Sequence, residues 1–159
     1  MFTDEHFTYL ADKYMDTVFR LAFSYMKSRA DADDITQNVL LKLYRTDKDF
    51  QSESHLKNWL IRVTINECKQ VFRSPWRKTE DIRDYANTLA LPTEEHAELF
   101  QTVMALPPKY RAVLYLHYYE DYTSEEIAGM LDIPPATVRT QLSRGREKLR
   151  KLLTEASTL

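Results

Sequence analysis

Residues 123–140 read Thr123-Ser124-Glu125-Glu126-Ile127-Ala128-Gly129-Met130-Leu131, then Asp132-Ile133-Pro134, then Pro135-Ala136-Thr137-Val138-Arg139-Thr140. The first four form a capping box, a threonine with a glutamate three residues on. A short helix follows, with Ile127 and Leu131 inward and the small Ala128 suited to a close helix crossing. Asp132-Ile133-Pro134 makes a turn, and aspartate tolerates the left-handed backbone better than most residues. Pro135 fits the first position of the next helix, where a missing N–H does no harm. Val138, Leu142, Leu149 and Leu153 are spaced to hold that helix, 135–151, against a core. Thr137, Arg139, Thr140, Ser143, Arg144 and Arg146 are left outward or lateral. This is the pattern of a helix-turn-helix whose second helix enters the major groove of DNA. Arginine can bridge guanine O6 and N7, while serine and threonine reach phosphates or base edges. The plainer alternative is a helical hairpin with a basic surface; the cap, the turn, the proline and the basic face together favour the groove reader.

Upstream, the pattern stays helical. Thr3 can cap a first helix, with Asp4 and Glu5 near its N-terminal dipole. Phe7, Leu10, Tyr14, Val18 and Leu21 then form one apolar stripe, and the helix ends near Ser28. A second helix runs from about Asp31 to Arg45 with Ile35, Val39 and Leu43 on one face. Residues 46–55 read as a polar loop. A third helix covers about 54–73, with Leu56, Leu60, Val63 and Val71 inward, until Ser74-Pro75 stops it. Residues 75–92 show no sustained period and read as a linker, acidic beyond Lys78, which favours an extended segment kept off a polyanion. Helical pattern resumes near Thr93, breaks at Pro107-Pro108 and continues to about Tyr119. The expected architecture is all-α: two small helical domains, 1–74 and 93–159, joined by a flexible acidic linker.

The bulk properties agree. The chain has 159 residues, 43% of them hydrophobic, and only 2 glycines and 6 prolines, few for a turn-rich β protein. Its net charge of −2 conceals two basic stretches. Lys57, Arg62, Lys69, Arg73, Arg77 and Lys78 crowd one; Arg139, Arg144, Arg146, Lys148, Arg150 and Lys151 crowd the other. Acidic segments separate them. Two basic faces suit two contacts with a polyanion, although charge runs are also ordinary solvated helix faces. The single cysteine, Cys68, allows no intramolecular disulfide and fits a reducing cytoplasm. Inside a helix it reads as inert packing rather than a redox sensor. No signal peptide is expected at the N-terminus. No apolar run approaches the roughly 18 residues that span a bilayer, so the chain is not expected to insert in a membrane.

Several motifs, in order along nearly the whole chain, resemble one family. Leu106-Pro107-Pro108-Lys109-Tyr110-Arg111, Tyr118-Tyr119-Glu120, Ser124-Glu125-Glu126-Ile127-Ala128, Thr137-Val138-Arg139 and Leu142-Ser143-Arg144-Gly145-Arg146 resemble the C-terminal DNA-binding domain of bacterial sigma factors. The class is the small extracytoplasmic-function (ECF) class of the sigma-70 family. Ala32-Asp33-Asp34-Ile35-Thr36-Gln37-Asn38-Val39 resembles its polymerase-binding helix, and Trp59-Leu60-Ile61-Arg62, Asn66 and Arg73 its promoter-melting helix.

The resemblance implies a factor that binds core RNA polymerase, through the beta-prime clamp helices and the beta flap, and directs it to promoters. It implies that Asp33, Asp34, Gln37, Asn38, Leu41 and Lys42 meet polymerase. Asp33 and Asp34 would also favour the helix N-terminus by charge alone. Lys57, Asn58, Arg62, Asn66, Lys69, Gln70 and Arg73, with loop 46–55, would hold the melted non-template strand of the minus-ten element. Cations that track phosphates beside surfaces for unstacked bases suit that task, and a loop pocket suits a flipped base. Thr137, Arg139, Thr140, Ser143, Arg144 and Arg146 would read the minus-thirty-five duplex. An anti-sigma factor is the further partner it implies.

Gln70 stands where the family often has aspartate, Asp132 where it often has glycine, and Pro135 stiffens the turn. Trp59 reads as core more than as a base-stacking surface. The tyrosines at 110, 115, 118, 119 and 122 read as packing and a polymerase contact. A stand-alone dimeric repressor or activator would use the same helix-turn-helix on paired half-sites; an inactive decoy would have no need of Arg139, Arg144 and Arg146. An enzyme is not expected, because His6, His55, His96 and His117 lack metal-ligand spacing and no phosphate loop or nucleophile motif occurs. No catalytic residue, cofactor or metal is expected.

Overall fold

The computed structural model describes residues 2–73 and 101–157. The chain divides into two compact units, one within Met1–Lys78 and the other within Thr79–Leu159. Both are helical, and no strand occurs among the described residues. The expected linker, 75–92, and the helix start near Thr93 lie outside the described residues.

In the first unit three helices pack on one another: α1 (Asp4–Met26), α2 (Arg29–Arg45) and α3 (Glu53–Phe72). Each starts on a hydroxyl cap that satisfies one of the N–H groups left over at a helix start. Thr3 accepts from the His6 N–H, Ser28 from Asp31 and Ser52 from His55. Helix α1 stops where Lys27 turns left-handed at φ 56° and returns its N–H to the Phe23 carbonyl. With Ser28 as its cap, α2 begins two residues before Asp31, where periodicity placed it. Ser52 likewise starts α3 at Glu53, so the connecting loop is shorter than 46–55.

Leu10, Tyr14, Val18 and Leu21 of α1 and Ile35, Val39 and Leu43 of α2 are buried as their spacing predicts. Phe7, at the end of the stripe, is only half-buried. In α3 the inward face is turned from the expected one. Leu56 and Leu60 are buried, but their partners are Ile61, Thr64, Ile65, Glu67 and Cys68; Val63 and Val71 are intermediate.

The second unit holds α4 (Pro108–Leu114), which passes directly into a π-helical turn (Tyr115–Tyr119). The short α5 (Ser124–Leu131) and the long α6 (Pro135–Ser157) follow. Residues 101–104 are also helical. Buried Arg111 donates to the Leu106 carbonyl at 2.6 Å, tying α4 back to the turn that precedes it. The capping box forms in full: the Glu126 N–H donates to Thr123 Oγ1 at 3.1 Å, and the Thr123 N–H to Glu126 Oε1 at 3.0 Å. Asp132 takes the left-handed conformation expected of it, φ 57° and ψ 48°. Its turn delivers the chain to Pro135, and the Pro134 carbonyl accepts from Thr137 and Val138.

Helix α6 packs on both α4 and α5. Val138, Leu142 and Gly145 are its buried residues, at spacings of four and three. A Cβ at Gly145 would stand 3.3 Å from Leu114 Cδ1 and 3.4 Å from Tyr110 Cβ, so the absent side chain lets the two helices approach. Beyond Gly145 the expected core contacts fade. Leu149 is intermediate and Leu153 is 39% exposed.

Gly145→Val is expected to destabilise the second unit by about 1–3 kcal/mol through overpacking. Gly129 sits exposed in α5 with nothing within 4 Å of a built Cβ. Gly129→Ala should therefore stabilise by about 0.5–1 kcal/mol by helix propensity alone. Urea titrations followed by circular dichroism would measure both, and a destabilised Gly129→Ala would show that the backbone there needs glycine.

Candidate nucleic-acid interface

The six outward residues of α6 are placed by its buried ones. Val138, Leu142 and Gly145 face α4 and α5, which leaves Thr137, Arg139, Thr140, Ser143, Arg144 and Arg146 all exposed. They lie in two flanking rows. Thr137, Thr140 and Arg144 follow one, Arg139, Ser143 and Arg146 the other, at helical spacings of three and four. Three cations and three hydroxyls share a surface about one helix wide, which matches what a major groove admits.

Local partners already orient several of them. Arg146 Nη1 donates to the Tyr118 hydroxyl at 2.7 Å, which draws its guanidinium toward the π-helical turn. The Thr140 hydroxyl donates to the Ala136 carbonyl at 3.0 Å, leaving its lone pairs for a donor. Arg139 Nη1 reaches Glu125 Oε1 at 3.4 Å. Sequence reading gave Glu125 no part in the site, since the pair joins residues fourteen apart through the turn.

The π-helical turn sets the tyrosines apart by role. Tyr110 and Tyr122 are buried, whereas Tyr118 and Tyr119 are more than half exposed. Tyr119 stacks on Tyr115 at 5.2 Å between ring centres. The Tyr115 hydroxyl donates to Glu120 Oε1 at 2.8 Å, and His117 Nδ1 lies 2.8 Å from the Tyr122 carbonyl. These bonds fix the extra residue of the turn, a feature that recurs at functional sites.

In the first unit, Asp33, Asp34, Gln37, Asn38, Leu41 and Lys42 are all exposed on α2, opposite Ile35, Val39 and Leu43. Leu41 is 47% exposed, an apolar side chain on an otherwise polar face. Exposed Tyr44 lies three residues further along α2 and meets Phe7 edge-on at 5.1 Å; sequence reading did not single it out. Arg29 Nε stands 3.9 Å from Asp33 Oδ2. Lys42 is an exception on this face, for it pairs with Glu67 of α3, whose side chain is only 10% exposed.

Along α3, Arg62, Asn66, Gln70 and Arg73 form an exposed stripe, with Lys69 half-buried beside it. Lys57 is intermediate. Asn58 is intermediate too, and its carboxamide oxygen is buried without a hydrogen-bond partner. Trp59 is half-buried, with its ring 5.4 Å from that of the loop residue Phe50. Phe50 also meets His55 at 5.4 Å and stacks on Phe2 at 6.1 Å, so an aromatic cluster anchors the loop. Lys13 reaches across from α1 to Glu53 at 2.6 Å, which holds the Glu53 carboxyl below its usual range.

Among the described residues, no group of His, Cys, Asp and Glu is arranged to hold a metal ion, and no helix is long and apolar enough to cross a membrane. Burial pushes the Cys68 thiol far up from its usual range, so it stays protonated.

A helix-turn-helix with an exposed basic face and a second helical unit with its own basic stripe are the marks of a two-unit DNA-binding protein. Residues 10–78 match the family model for sigma-70 region 2, and residues 96–149 that for sigma-70 region 4. The ECF RNA polymerase sigma factor SigW of Bacillus subtilis is 29% identical over 92% of this chain and 88% of its own length. SigE of Mycolicibacterium smegmatis is 31% identical over 94% of this chain but 62% of its own length. Sigma-E of Escherichia coli K12 is 27% identical over 90% of this chain and 84% of its own length. Two solved structures share the fold. RpoE from Bartonella quintana, in complex with the anti-sigma factor NepR, gives a TM-score of 0.74 at 20% identity over 94% of this chain and 98% of that one. CnrH, in complex with the cytosolic domain of CnrY, gives 0.70 at 22% over 96% and 90%. The chain belongs to the ECF class of the sigma-70 family. It is a promoter-directing factor of transcription initiation: with core RNA polymerase, its first unit serves the minus-ten element and its second the minus-thirty-five.

Lys42→Met leaves the Glu67 carboxylate nearly buried and unpaired. A loss of about 1–2 kcal/mol is expected, discounted because Lys42 itself is half exposed. Thermal melting would read it, and Cys68 should resist alkylation until the same transition.

Proposed function

We propose that the work is divided among three surfaces. Asp33, Asp34, Gln37, Asn38 and Leu41 of α2 form the polymerase face, meeting the beta-prime clamp helices; Lys42 stands at its edge, committed to Glu67. Lys57, Arg62, Asn66, Lys69, Gln70 and Arg73, with the loop before α3, hold the melted non-template strand. Asn58 stands beside them with its carboxamide oxygen buried. Thr137, Arg139, Thr140, Ser143, Arg144 and Arg146 read the upstream duplex. The observation that carries the reading is that all six of these α6 residues are exposed, flanking and opposite the buried face of Val138, Leu142 and Gly145.

The domain limits that go with it are 1–74 for the first element and 93–159 for the second, with 75–92 as an acidic linker that threads polymerase. The second unit also docks on the beta flap. The protein works without intrinsic enzymatic activity and in the cytoplasm, where polymerase and chromosome are. An anti-sigma factor restrains it, as the complexes formed by RpoE and CnrH suggest.

Transcription in vitro with purified core polymerase tests the whole: specific transcripts are expected only when the chain is present. A mobility shift as strong without core as with it would favour a stand-alone duplex binder instead. Arg144→Ala should weaken promoter binding by about 1–3 kcal/mol if its guanidinium is bidentate on a base. An unchanged footprint over the upstream element would remove Arg144 from the reader. Asp34→Lys should abolish co-purification with core while leaving the melting curve intact, since Asp34 is exposed; normal co-purification would move the polymerase face elsewhere.

A further inference from the structure

The contact between Glu125 and Arg139 has a chemical consequence for DNA reading. Glu125 lies in the first turn of α5, on a helix start locked by the Thr123–Glu126 capping box. Arg139 lies one turn into α6. Their side chains meet at 3.4 Å, and both remain more than half exposed. A carboxylate therefore stands beside one cation of the groove-facing surface, on a residue whose backbone the capping box holds.

We propose that Glu125 is a specificity-determining positioning residue, which keeps Arg139 from serving as a phosphate clamp and commits it to a base edge. The inference rests on the placement of Arg139 in the upstream-element reader. A guanidinium is the strongest partner available for a phosphate oxygen, and phosphate contacts carry no sequence information. With Glu125 at 3.4 Å, a phosphate approaching Arg139 also approaches a like charge well inside the Debye length of physiological salt. A guanine edge presents neutral acceptors, N7 and O6, and meets no such repulsion. The guanidinium has five N–H donors, so one can stay with the carboxylate while a pair faces the base. Glu125 thus acts by penalising the wrong contact more than by strengthening the right one. The pair is exposed and weak as an ion pair, so its effect falls on DNA discrimination and not on folding.

The test uses the full chain bound to core polymerase and two duplexes. One carries an upstream element selected by the wild-type holoenzyme from a randomised pool; the other has that element scrambled. Glu125→Gln keeps the side-chain shape and removes the charge. It should tighten binding to the scrambled duplex by about three- to tenfold, with the slope of log affinity against log salt steeper by about one. Binding to the selected duplex should change less, so discrimination falls. In the Arg139→Ala background the same substitution should tighten both duplexes slightly and equally, leaving discrimination unchanged. Unchanged salt slope and discrimination in Glu125→Gln, or equal weakening on both duplexes, would overturn the proposal. The two readings fail separately. If Arg139→Ala costs nothing on the selected duplex, Arg139 is not a reader and the inference falls with it. If Arg139→Ala weakens binding while Glu125→Gln is neutral, only the role of Glu125 is lost.

Discussion

The close crossing of α4 and α6 at Gly145 is the constraint on which the DNA-facing surface depends. Leu114 and Tyr110 approach the α6 backbone so nearly that a methyl group would stand 3.3 Å from one and 3.4 Å from the other. Glycine in a helix interior costs roughly 1 kcal/mol against alanine, a cost accepted here for the approach it permits. Once that contact is made, helical geometry leaves little freedom. Val138 and Leu142 must lie on the same side, and the threonines, serine and arginines between them must face away. The outer surface of α6 is thus a by-product of how its inner surface packs.

The first unit solves a related problem with a charge. Its three helices share an apolar core, yet Glu67 sits within that interface and finds Lys42 across the gap. A nearly buried carboxylate is costly unless paired, so the ion pair discriminates among ways of setting α2 against α3. That setting matters because the two helices carry the two surfaces proposed above for polymerase and for the melted strand. Lys42 is consequently both an exposed residue of one face and a structural partner of the other.

What was legible in the sequence was whatever depends on neighbours three or four residues away. The capping box, the left-handed Asp132, the proline at the head of α6 and the apolar stripes of α1 and α2 are all local. The face of α3 was not legible, because Leu56, Leu60, Ile61, Val63, Ile65, Cys68 and Val71 spread over more than half of that helix's circumference. Only packing against α1 and α2 decides that Ile61 and Ile65 go inward and Val63 less so. Periodicity also carried Leu149 and Leu153 into the core, where the structure leaves one intermediate and the other exposed. The π-helical turn at Tyr115–Tyr119 has no local signature either; it is held by bonds to Glu120 and Tyr122. The six candidate residues on α6 are exposed as the sequence pattern implied, and Glu125, which contacts one of them, had no local signal.

Two modest readers on one chain are a different device from one strong reader. Each unit builds a core of its own around separate helices, so a change in one surface need not disturb the other. Tethered contacts multiply through effective concentration, so each can be weak alone and the pair selective together. That arrangement penalises any contact that holds DNA irrespective of sequence. A non-specific phosphate clamp in one unit would raise occupancy everywhere and make the second contact less decisive. The carboxylate beside Arg139 bears on this point. By disfavouring one sequence-blind contact on α6, it leaves the upstream reader more dependent on base edges.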